Sequence, residues 1–139
     1  MTLYKLIDHT ADLGIEVTGR TKRELFAKAA LSLMDILVEK KGTPPGGKEK
    51  ALFVEGSAPA DLLVNFLREI LYLVNGEALI IRACDIKKCT STKINARLFL
   101  EPYDSKKHVM KTEIKAVTYH GLSVERTKKG WKARVIFDV

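Results

Sequence analysis

Asp8-His9-Thr10-Ala11-Asp12 packs two carboxylates and an imidazole into five residues, and another carboxylate, Asp138, stands just before the last residue, Val139. Carboxylates held close together repel unless solvent, a cation or a partner offsets their charge. The chemistry such a set supports is cation binding through oxygen, which suits Ca²⁺ or Mg²⁺. Asp8 and Asp12 also read as turn residues, because aspartate accepts hydrogen bonds from its own downstream amides. His9 reads as a ligand or proton carrier, since imidazole titrates near neutral pH, or as a hydrogen-bonding turn residue. The residues alone leave these readings open.

The elements on either side decide where these groups stand. Leu13, Ile15 and Val17 alternate with Gly14 and Glu16, the pattern of a half-buried strand. With a strand over residues 3–7 before it, the acidic run becomes a connection at the end of a sheet. At the other end of the chain Trp131, Ala133, Val135, Phe137 and Val139 alternate with Lys132, Arg134, Ile136 and Asp138. Period two then places Asp138 on the face opposite Trp131. A strand running to residue 139 delivers a side-chain and a main-chain carboxylate to one sheet edge.

Between these ends, Thr21-Lys22-Arg23-Glu24 has capping-box spacing, and apolar residues recur at helical intervals behind it, so a helix is expected over residues 22–39. The Pro-Gly run at 42–47 breaks it. A strand over 51–55 follows. A second helix starts at Ser57 or Ala58, with Pro59 in its first turn and Asn75-Gly76 at its end. The remainder reads as β: 78–86 and 92–100 paired around a turn at Lys87-Lys88, then 114–120, 122–126 and 131–137, the last two joined at Lys128-Lys129-Gly130. Residues 101–112 read as a solvated connection. The expectation is one α+β domain over residues 1–139, a two-layer sandwich with two amphipathic helices on a mainly antiparallel sheet.

The chain has 139 residues, 46% of them apolar, enough for a sizeable core. It carries neither an apolar run of membrane-spanning length nor a signal-peptide layout, so the expected compartment is the cytoplasm, with no membrane partner. Cys84 and Cys89, the two cysteines, are too few for a tetrahedral zinc site and read as free thiols on a strand pair. The net charge of +7 favours polyanions or acidic surfaces without choosing between them. Its lysine pairs, scattered over the turns, read mainly as solvated.

Taken together the pieces resemble archease. The resemblance rests on Asp8–Asp12, on Leu62-Leu63-Val64-Asn65-Phe66-Leu67-Arg68-Glu69-Ile70-Leu71-Tyr72, on Ile114-Lys115-Ala116-Val117-Thr118-Tyr119-His120 and on Phe137-Asp138-Val139. It spans nearly the whole chain, in the family's order and spacing. It implies a small non-enzymatic accessory protein that activates the RtcB-type RNA-splicing ligase in tRNA exon joining, promoting the ligase's GTP-dependent guanylylation and turnover. It also implies, as an alternative, modulation of a tRNA cytosine-5 methyltransferase, with chaperone character. The family's metal site maps onto Asp12, Asp138 and Val139, the last through a main-chain oxygen. The cation expected is Ca²⁺, with Mg²⁺ or Mn²⁺ as alternatives.

Asp8 and His9 then become supporting residues. Lys115 is a candidate to neutralise the acids. Glu69 reads as a partly buried partner contact or second acid, against the ordinary alternative of an exposed salt bridge. Tyr119 reads as packing. Contact with tRNA is expected to be indirect. A metal-dependent phosphohydrolase is the weaker reading, since the chain has no P-loop and no H-E-x-x-H helix. A direct RNA-binding module is favoured only by charge, with few aromatic residues for stacking.

Overall fold

The computed structural model describes residues 3–7, 12–41 and 47–139. Strands β1 (Lys5–Ile7), β2 (Leu13–Gly19), β8 (Ala116–Thr127) and β9 (Gly130–Asp138) form one sheet in the order β1-β2-β9-β8. A second sheet has the order β4-β6-β5, from β4 (Lys48–Glu55), β5 (Leu79–Cys89) and β6 (Lys93–Pro102). A short pair joins β3 (Val38–Lys40) to β7 (His108–Met110). Every pairing is antiparallel. Helix α1 (Lys22–Leu37) packs on β5 and β2, and α2 (Pro59–Glu77) packs chiefly on β8. The expected α+β arrangement of two helices on mainly antiparallel sheets is the one observed.

The apolar stripes of both helices and the inner faces of both larger sheets meet in one buried cluster, from Ile15 and Val17 through Phe26, Phe66 and Leu98 to Val135 and Phe137. The Phe26 and Phe66 rings, 6.0 Å apart and tilted, join the helices. Each such side chain contributes about 1.5–3 kcal/mol by leaving water. Burial therefore holds the ends of β2 and β9 in register. Among the described residues no helix is long and apolar enough to cross a membrane.

Several boundaries depart from the sequence pattern, each for a physical reason. Thr21 caps α1 as expected, its Oγ1 accepting from Glu24 N–H at 3.1 Å. The helix ends at Leu37, however, because β-branched Val38 is extended and begins the pairing with β7. The connection expected to be solvated therefore contains a strand. Helix α2 runs past Asn75-Gly76 and ends at Ala78, which adopts a left-handed conformation with φ 54°. Gly76 serves instead as the place where the Tyr72 ring lies flat on the helix, since a Cβ there would stand 2.7 Å from Tyr72 Cε1.

The β5–β6 turn falls at Thr90–Thr92, where Thr90 Oγ1 accepts from Thr92 N–H and Lys93 N–H. Lys87-Lys88 are strand residues rather than the turn. Residues 116–127 form a single strand, irregular between Thr118 and Ser123, rather than two. Both cysteines are free and lie on the one strand β5. Burial, with the charge of Asp85 added, pushes the Cys84 thiol up to about 12.

Candidate metal centre

Leu13 pairs with Phe137 in the β2–β9 ladder, so the register carried one residue further sets Asp12, immediately before β2, opposite Asp138. On the other side of β9, Ala116 pairs with Asp138, and Lys115 N–H donates to the Asp138 main-chain oxygen at 2.7 Å. Three chain segments distant in sequence thus meet at one sheet end: the start of β2, the end of β9 and the approach to β8. Asp12 is half-buried, whereas Asp138, Val139 and Lys115 are exposed. The ladder uses the main chain of Asp138, so its carboxylate takes no part in holding the sheet together.

Helix α2 fixes the β8 side of this end. Asn75 Nδ2 donates to the Ile114 carbonyl at 3.0 Å, and Arg68 donates from Nε and Nη2 to the Val117 carbonyl at 3.3 and 3.2 Å. Lys115 is therefore clamped on both flanks. Arg68 also lies 4.9 Å from the centre of the Tyr119 ring. The Tyr119 hydroxyl donates to Asp61 Oδ1 at 2.7 Å, and Asp61 Oδ2 accepts from Ser57 N–H and Ser57 Oγ. The Ser57 amide, then Tyr119 and the Ser57 hydroxyl, hold the Asp61 carboxyl below its ordinary range. Tyr119 is half exposed and bonds across to the helix, so it is a tether between α2 and β8, not a packing residue.

Asp12, Asp138, Val139 and Lys115 are thus brought together. Glu69 is exposed on α2, correcting the expectation of partial burial, because the apolar stripe of the helix runs through Phe66, Leu67 and Ile70 instead. Asp8 and His9 lie outside the described residues. Among the described residues no three His, Cys, Asp or Glu side chains cluster closely enough to hold a metal. Among the described residues, the groups at the sheet end that could serve a cation are the Asp12 and Asp138 carboxylates and main-chain oxygen. Hard oxygen donors of this kind would suit Ca²⁺, Mg²⁺ or Mn²⁺, with part of the shell left to water.

A second polar cluster, missed in the sequence, lies between β5, β6 and β7. Glu101 and His108 are buried, at 4% and 1% exposure. His108 Nδ1 accepts from Asp104 N–H at 2.9 Å, so the neutral ring carries its proton on Nε2, which donates to Glu101 Oε1 at 2.7 Å. Arg82 Nε donates to the same oxygen. Burial works against the ionised Glu101, but the bonds from His108 and Arg82 prevail and hold its carboxyl low. Arg82 is the extra residue where β5 bulges between Ile81 and Ala83, and such a bulge re-aims a side chain. An arginine interrupting the apolar start of β5 was the only signal in the sequence.

Comparison with known proteins places the sequence and the fold. Residues 4–139 match the model of the Archease protein family. The chain is 34% identical to the protein archease of Methanosarcina barkeri, over 98% of this chain and 95% of that one. It is 35% identical to that of Pyrococcus furiosus over the full length of both. The solution structure of Protein 1598 from Methanobacterium thermoautotrophicum shares the fold, with a TM-score of 0.72 at 23% identity over the whole of both chains. A crystal structure from Thermotoga maritima, described as an archease and possible chaperone, superposes with a TM-score of 0.65 at 25% identity over 97% of this chain and 96% of that one. Matched by the family model over nearly its whole length and by full-length relatives at about a third identity, this chain belongs to the archease family.

Proposed function

We propose that this chain is a metal-binding, non-enzymatic accessory protein that activates an RtcB-type RNA-splicing ligase, promoting its GTP-dependent guanylylation and repeated turnover in tRNA exon joining. Asp12, Asp138 and a main-chain oxygen of Val139 hold the cation, with Ca²⁺ favoured over Mg²⁺ or Mn²⁺. The observation that carries this reading is the meeting of Asp12, Asp138 and Lys115 at one solvent-facing sheet end in an archease-family chain. A cation bound between half-buried Asp12 and exposed Asp138 is a point of attachment for a partner's oxygen ligands. Beside it, a cleft of about 320 Å³ between α2 and β8, bordered by Tyr72, Asn75 and Lys115, offers surface for the same partner. An activator shifts the ligase only by binding its nucleotidylation-competent state more tightly than the other.

The test is a reconstituted ligation assay with ligase in limiting amount, with and without this protein. Acceleration is expected under multiple turnover. Asp12→Ala or Asp138→Ala should remove more than about tenfold of it. Full activation by both variants would refute the metal assignment, and no activation by the wild-type chain would refute the function.

A second reading is a chaperone for a tRNA cytosine-5 methyltransferase. Phe53, 72% exposed on edge strand β4, and Leu6, 62% exposed on edge strand β1, favour it by presenting apolar groups where a partner's strand can pair. Suppression of that enzyme's aggregation, lost on Phe53→Lys, is its test.

A further inference from the structure

We infer that the end of the β1-β2-β9-β8 sheet opposite the acids is a binding surface for single-stranded nucleic acid, centred on Trp131. The β8–β9 hairpin turns through Lys128-Lys129, with Thr127 paired to Gly130 and Arg126 to Trp131. Gly130 allows this turn, at φ 141°, because a Cβ there would meet the Gly19 carbonyl at 2.3 Å. The hairpin tip is thus pressed against the loop that carries Arg20 into α1. The two loops frame a groove of about 1000 Å³.

Five cations line this groove: Arg20, Lys28, Lys128, Lys129 and Lys132. Its acids are Glu16 and Glu24, and Glu24 is engaged by Lys28 at 3.1 Å. Two more cations stand against the Trp131 ring, Lys22 Nζ at 5.5 Å and Arg126 Cζ at 5.9 Å from its centre. Seven cations stand against Glu16, Glu24 and Glu125, the last opposite Lys132 in the ladder, which leaves four positive charges here, where the whole chain carries seven net. The fold gathers these single cations around one basic pair, Lys128-Lys129.

The aromatic ring chooses among anions. Five of the seven cations are lysines, point charges that bind phosphate without fixing its geometry, and an aromatic ring among them adds a stacking surface that a base can use. Trp131 is half-buried and packs against the core, so its ring is a fixed platform. A basic groove around an aromatic platform is the construction that binds single strands, phosphates to the cations and a base on the ring. Lys22 and Arg126, being long and flexible, reach the phosphates on either side once a base takes their place.

The test uses the full chain and a 12-nucleotide oligouridylate. Trp131 is the sole tryptophan, so its fluorescence reports the site directly. Binding should quench it, with affinity falling on a log–log salt plot at a slope near ~−3, as ~4 neutralised phosphates require. Charge reversal at the hairpin tip, Lys128→Glu with Lys129→Glu, should weaken binding more than tenfold, and Trp131→Ala, read from the anisotropy of a fluorescein-labelled oligouridylate, about tenfold. The same reversal in another loop, Lys106→Glu with Lys107→Glu, should change it less than threefold. Asp138→Ala should bind normally, which separates this surface from the proposed metal centre. Equal weakening by the two reversals would overturn the inference in favour of net charge alone. Polyglutamate of matched length binding as tightly would overturn it in favour of an acidic protein, and so would absence of quenching.

Discussion

Asp138 and Glu101 are both carboxylates near the end of a strand in an antiparallel sheet, and the fold treats them oppositely. Glu101 is sealed in and answered from within, by His108 and Arg82. Asp138 is exposed, its main-chain oxygen bonded by Lys115 N–H, with Asp12 brought opposite by the register. The difference teaches where to look for function in this molecule. An acid sealed in with its own partners serves stability, whereas an exposed acid that the register sets opposite another at a sheet end is a candidate for binding a ligand.

Two substitutions break or sharpen that contrast most strongly. Asp138→Ala should cost more than about tenfold in ligase activation while leaving thermal unfolding of the metal-free chain nearly unchanged. Glu101→Gln should do the reverse. It leaves Arg82 buried beside a neutral amide, and breaking a buried pair in this way costs about 3–5 kcal/mol, read as a lowered urea midpoint with activation retained wherever the protein is folded. If Glu101→Gln instead abolished activation at full stability, or Asp138→Ala unfolded the chain, the division would be wrong.

The acid limb of stability gives the next test. Unfolded, Glu101 titrates near the ordinary glutamate value of about 4.3; folded, it titrates lower. Below the ordinary value the unfolded chain therefore takes up protons that the folded chain does not, and lowering the pH favours unfolding. The contribution is complete above about pH 4.3 and is lost as the pH falls through the depressed folded value. Urea midpoints measured from pH 7 down to pH 3 should fall along this limb. In Glu101→Gln that fall should be shallower, the pair already being gone.

How much of this was legible beforehand follows the range of the interactions. The helices and the β2 and β9 strands announced themselves, because apolar periodicity is local and both helix starts carry their own signals, Thr21 with Glu24 and Pro59. The meeting of Asp12 with Asp138 was reachable only because both flank strands and the resemblance to archease joined the ends of the chain. No local pattern could show that His108 is buried. It sits in a lysine-rich stretch whose solvated appearance is overruled by the β3–β7 pairing and by a bulge that turns Arg82 inward. The Tyr119–Asp61 tether and the gathering of cations around Trp131 were hidden for the same reason, since each joins segments far apart in sequence.

The smallest predicted effect concerns the thiols, and it extends the contrast between buried and available groups to nucleophiles. Reactivity belongs to the thiolate. Burial, joined by Asp85, lifts Cys84 to about 12, whereas Cys89 is raised by burial but pulled back by Lys22 and Arg23. At pH 8 an ordinary thiol is roughly a quarter ionised, given a value near 8.5, and Cys84 is almost wholly protonated. Native protein mixed with excess Ellman's reagent should therefore release its colour in two phases, Cys89 reacting first and Cys84 far more slowly, while urea-unfolded chain reacts in one. Cys89→Ser should remove the faster phase and leave the slower one. A native Cys84 reacting as fast as the unfolded thiol would mean that β5 opens readily at its centre, and the burial argument made for Glu101 and Arg82 on the neighbouring register would fall with it.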